Sequence, residues 1–97
     1  MSKQEKAQRK ELFTLALKYL EDDIADPECE DYSLCYCMVR AWMIVFKEEK
    51  WKGGLKKQFP ELEKVRPKDG RYYHFWWNNS NYEVRRAKLQ KIINMYD

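Results

Sequence analysis

Leu12, Leu15, Ala16, Tyr19 and Leu20 fall at i, i+3, i+4, i+7 and i+8, and Phe13, Leu17 and Ile24 widen the same stripe. A helix over 3–24 with an apolar face this broad has to be buried against more than one neighbour, so the stretch commits the chain to packing helix on helix. Its charged start, Lys3 to Arg9, is expected to fray in solvent.

Pro27 cannot sit inside a helix and biases Asp26 away from helical geometry, so Asp22 to Asp31 is expected to form an acidic loop. From Leu34, positions 34, 37, 38, 41, 42 and 45 bring Leu, Cys, Met, Ala, Trp and Val onto one face, which predicts a second helix over 32–50. Asp31 or Ser33 can cap it, and Arg40 lies on the adjoining stripe. Gly53-Gly54 should end it, because paired glycines enter left-handed geometry without steric cost. A short helical piece near 55–64 follows, with Leu55, Phe59 and Leu62 inward and Pro60 in a first turn.

Arg66-Pro-Lys-Asp-Gly70 is a turn signal. Residues 71–77, Arg-Tyr-Tyr-His-Phe-Trp-Trp, are too short and too ring-rich for a helix between such turns and are expected to be extended. Tyr72, His74 and Trp76 then face one way, and Tyr73, Phe75 and Trp77 the other. Ser80-Asn-Tyr-Glu83 matches a capping box, opening a third helix over about 80–95 whose stripe is Tyr82, Leu89, Ile92, Ile93 and Tyr96. The expected fold is therefore mainly α, a single domain over 1–97 with three main helices, the short helical piece and one extended aromatic segment.

Charge divides the chain. Residues 1–46 hold six Lys/Arg against nine Asp/Glu, a net of −3, and residues 47–97 hold thirteen against seven, a net of +6. The basic half suits an anionic partner, and the asymmetry equally suits self-association or a solvated surface. No apolar run approaches the ~18 to 20 residues of a membrane span, and the first residues lack a signal peptide's apolar core. The odd set Cys29, Cys35 and Cys37 argues against a disulfide framework, so the cytosol of its host is the expected location.

Arg85 and Arg86 stand at the start of the third helix, where cations oppose the macrodipole. Either an acidic side chain from the Asp22 to Asp31 loop or a bound phosphate or carboxylate would offset this. In the second case Arg71, Arg85 and Arg86 contact phosphates while Tyr72, Tyr73 and Trp76 stack bases, in a pocket completed across protomers by Arg40 or Tyr36. Nucleic acid could use the same residues with Lys50, Lys52, Lys56 and Lys57, but no helix-turn-helix, zinc-finger or RNP pattern is present. Cys35 and Cys37, at i and i+2 on a helix, point about 200° apart and cannot share one zinc ion. With a single histidine in an aromatic run, no nucleophile motif and no glycine-rich phosphate loop, neither catalysis nor a cofactor or metal is expected.

The order of Ser33-Leu-Cys-Tyr-Cys-Met38, Phe59-Pro-Glu-Leu62, Arg66-Pro67, Phe75-Trp-Trp77, then Arg85 before Leu89 and Ile92-Ile93, resembles a pattern in small phage and prophage proteins. Ser33 replaces that pattern's glycine and Asn78 stands where proline is usual. The resemblance, over residues 33–93, implies a host-interaction or counter-defence protein and supplies no biochemical activity. Two readings follow. One is a helical oligomer that sequesters an anionic nucleotide signal without turning it over. The other is a protein-binding inhibitor whose exposed rings and basic half dock on an acidic host surface.

Overall fold

The computed structural model describes residues 1–28, 34–65 and 82–97. The protein is mainly α-helical: α1 spans Lys3–Ala25, α2 Leu34–Val45, α3 Leu55–Gln58, α4 Glu61–Lys64 and α5 Tyr82–Asn94, and there is no strand among the described residues. The expected turn at 66–70, the extended segment 71–77 and the Ser80 cap lie outside those residues.

α1 packs on both α2 and α5, as the breadth of its stripe requires. Leu12, Phe13, Ala16 and Leu20 are fully buried, and Leu15, Leu17 and Tyr19 pack at the edge of the same core. Ile24 does not join them and is exposed. Lys3 to Arg9 are helical from the first residue of α1, with Lys3 to Ala7 exposed. Ser2 Oγ accepts the Glu5 N–H at 3.1 Å and its hydroxyl donates to Glu5 Oε1 at 3.2 Å, so the Ser2 side chain caps the start of α1. Arg9 then turns inward to Glu61 rather than outward to water.

The acidic stretch is also divided differently from the expectation of one loop. Asp22 and Asp23 belong to α1, which runs to Ala25 before Pro27 stops it, and the Glu28 N–H bonds Asp26 Oδ1 at 3.0 Å in a side-chain-closed turn. α2 ends at Val45, short of the predicted 50. The Glu48 N–H reaches back to the Met43 carbonyl at 2.9 Å and the Lys47 N–H to the Ile44 carbonyl at 3.3 Å, with Lys47 at φ 55°. This pair of bonds is a Schellman stop with lysine in the left-handed position usually held by glycine. Gly53 and Gly54 do take φ +81°, but they launch α3 rather than end α2.

The connector between them carries the aromatic core. Trp42 packs against Phe46 at 5.2 Å and perpendicular to Trp51 at 5.1 Å; Trp51 stacks on Phe59 at 5.5 Å, and Phe59 meets Phe13 edge-on at 6.0 Å. Four rings thus link α2 to α1 through the two short turns, where Phe59, Leu62 and Val65 are buried and Pro60 opens α4 as expected. In α5, Leu89, Ile92 and Ile93 are buried and Tyr82 half-buried, and Tyr96 just after it is half-buried too, which matches the predicted stripe.

Candidate functional site

The last turns of α1 present Glu21 and Asp23 to arginines from the two helices that flank it. Asp23 Oδ2 accepts from Arg40 Nη2 of α2 at 2.8 Å. The Arg40 guanidinium lies between two tyrosine rings, 4.5 Å from the Tyr19 centroid and 4.6 Å from that of Tyr36. Helical spacing explains the arrangement: Tyr36 and Arg40 are i, i+4 on α2, and Tyr19 and Asp23 are i, i+4 on α1, so two facing stripes interlock. Tyr36 is 53% exposed.

Cys37, fully buried beneath this cluster, donates its thiol toward Asp23 Oδ2 at 3.4 Å and lies 3.7 Å from Arg40 Nη2. Burial first, and the Asp23 carboxylate after it, push the thiol from its ordinary 9.0 to about 12, against the opposing pull of Arg40. A thiol held protonated to that degree is no nucleophile at neutral pH, so Cys37 is a packing residue.

On the other flank, Arg86 Nε of α5 reaches Glu21 Oε1 at 3.1 Å, with both side chains about half exposed. The offset to the unfavourable helix dipole is thus an acid of the protein itself, as the first alternative anticipated, although it comes from α1 rather than from the loop. Arg85, one position earlier and 100° round the helix, is half-buried. Of the predicted site residues, then, Arg40 and Tyr36 are brought into contact, Arg86 is committed to Glu21, and Arg71, Tyr72, Tyr73 and Trp76 lie outside the described residues.

A further ionic cluster escaped the sequence reading. Arg9 Nε and Nη2 grip Glu61 Oε2 and Oε1 at 2.8 and 2.7 Å, Nη2 also donates to the Gln58 carbonyl at 2.9 Å, and the Tyr96 hydroxyl donates to Glu61 Oε2 at 2.7 Å. Burial pushes the Glu61 carboxyl up, but the hydrogen bonds from Arg9 and Tyr96 and the Arg9 charge outweigh it and hold it below its ordinary value. Burial and the same carboxylate raise Tyr96 to about 12. Arg9 is four before Phe13 and Glu61 adjoins Leu62, so both lie beside apolar stripes, but spacing alone does not pair residues 52 positions apart. The Glu61 carboxylate at its centre is only 3% exposed and already bonded on both oxygens.

On the exposed face of α2, Tyr36, Arg40 and Ile44 occupy i, i+4 and i+8, and Tyr36 and Ile44 are both more than half exposed. Lys47 and Lys50, also exposed, continue that end of the helix. No group of His, Cys, Asp and Glu side chains among the described residues is placed to hold a metal ion, and among them no helix is long and apolar enough to cross a membrane. Comparison with family models, curated proteins and solved structures gives no match to this chain.

Proposed function

We propose that this chain is a small phage-type host-directed protein that works by docking on another protein through the outward face of α2, without catalysis. The observation that carries this reading is the exposed Tyr36 ring stacked on Arg40 one turn before the exposed Ile44. Tyr and Arg are the residue types that anchor interfaces, and an anchor already held in its bound geometry loses little side-chain entropy on binding. The Asp23 carboxylate and the Tyr19 ring hold Arg40 in that way. At the end of the face Lys47-Glu48-Glu49-Lys50 presents both signs of charge, which act chiefly on association rate and orientation.

Capture from bacterial lysate tests the proposal. The wild-type chain should retain a host protein at near-stoichiometric level, and the Tyr36→Ala/Ile44→Ala double variant should retain at least about tenfold less, as loss of two anchors implies. Equal retention by both would overturn it.

Sequestration of an anionic nucleotide is the second reading. It is favoured by Arg40 Nε, a buried donor with no hydrogen-bond partner among the described residues, in the stack between Tyr19 and Tyr36. Arg86 could serve such a ligand only if phosphate displaced Glu21. Nucleotide released on denaturing the purified protein, with no protein captured from lysate, would establish this reading in place of the first.

A further inference from the structure

The outer side of α1 carries an open groove of about 460 Å³, lined by Ala7, Lys10, Glu11, Thr14, Leu15 and Lys18. Ala7, Glu11, Thr14 and Lys18 are exposed, while Leu15 is half-buried and packs on the core from its inner side. The middle of the groove is small and already satisfied: the Thr14 hydroxyl donates back to the Lys10 carbonyl at 2.7 Å, so covering it strands no donor.

Charge indicates what covers it. α1 is basic at its start, with Lys3, Lys6, Arg9 and Lys10, and acidic at its end, with Glu21, Asp22 and Asp23. Reversed end for end about a point between Thr14 and Leu15, the groove stripe complements itself. Glu11 then falls opposite Lys18, Lys18 opposite Glu11, and Lys3 opposite Asp26 beyond the last turn. A parallel pairing in register would instead oppose Glu11 to Glu11 and Lys18 to Lys18.

We infer that the groove is a self-association surface, occupied by α1 of a second copy lying antiparallel across it, with Glu11 of each copy facing Lys18 of the other. Such a contact is isologous and closes at two copies. A single helix pair of this kind belongs to the small, weak class of interfaces, below about 1,200 Å² in total, so it forms at high protein concentration. The surface is separate from the α2 face, and neither proposal depends on the other.

Sedimentation or light scattering from about 5 to 500 μM spans the range in which so small an interface populates. The wild-type mass should rise from monomer toward dimer. Glu11→Lys and Lys18→Glu should each weaken association at least about tenfold, because one reversal spoils both symmetric pairs. The double variant Glu11→Lys/Lys18→Glu should recover the wild-type curve, and an equimolar mixture of the two single variants should form a heterodimer. Glu11 and Lys18 are both exposed in the monomer, and circular dichroism checks that each variant keeps its helix. A wild-type chain that stays monomeric throughout overturns the inference, as do single variants that associate like the wild type or a double variant that does not recover.

Discussion

Arg9 and Glu61, 52 residues apart in the chain, meet in a two-pronged ion pair at 2.7 and 2.8 Å with the carboxylate only 3% exposed. That pair, with Tyr96 as its third member, joins the first turns of α1, the start of α4 and the residues after α5. Removing one partner strands a buried charge, which costs about 3 kcal/mol or more, whereas removing both replaces the pair with apolar packing. Arg9→Met should therefore destabilise strongly in urea unfolding, and Arg9→Met/Glu61→Met should be more stable than that single variant. A double variant as weak as the sum of both singles would show that the three residues contribute independently.

The same cluster sets the shape of the pH profile. Glu61, held below its ordinary carboxyl value, contributes stability that is present above the unfolded pKa and lost as pH falls through its lower folded value. Cys37 and Tyr96 work at the other end. Their folded values near 12 lie above 9.0 and 10.0, so the folded state keeps protons that the unfolded state gives up, and stability falls as pH rises from about 9 towards 12. Tyr96→Phe and Cys37→Ala should each flatten this alkaline limb in unfolding titrations, whatever they do to stability at pH 7. An unchanged limb in both variants would contradict the assignment.

Lys47 holds a left-handed conformation, φ 55°, at the end of α2. An L-residue there carries roughly 1–2 kcal/mol of strain, while glycine adds flexibility to the unfolded chain worth about 0.5–1 kcal/mol. Lys47→Gly should raise the unfolding midpoint by an amount equivalent to about 0.5–1 kcal/mol. A lowered midpoint would mean that the lysine side chain contributes more than its backbone costs.

Arg86 and Glu21 pair in the open, each about half exposed. Arg86→Ala and Glu21→Ala should shift the unfolding midpoint slightly and equally, and the shifts should vanish near 1 M salt, where the screening length is about 3 Å. A larger loss for Arg86 alone, persisting in salt, would assign it a role beyond this pair.

Periodicity made the helices legible. The α1 and α5 stripes and the inward set Leu55, Phe59 and Leu62 can be read from spacing because burial of side chains at 3.6-residue intervals is what selects those residues. The end of α2 could not be read in that way. Its stop depends on a lysine accepting left-handed geometry so that Trp42 can meet Trp51, a long-range gain that outweighs local preference. Of the candidate site, Arg40 and Tyr36 were singled out for a ligand and are found stacked together, but their partners Tyr19 and Asp23 were hidden in a helix assigned to core and loop. Glu61 was missed because a buried carboxylate is identified by its distant partners, Arg9 and Tyr96, which no local window contains.

The central claim, that α2 presents the docking face, is tested most directly by hydrogen–deuterium exchange on the protein alone and in complex with the partner it retains. New protection concentrated in residues 34–52, spanning Tyr36, Arg40, Ile44 and the following lysines, is the predicted result. Protection that leaves this stretch unchanged and appears along α1 or α5 instead would contradict it.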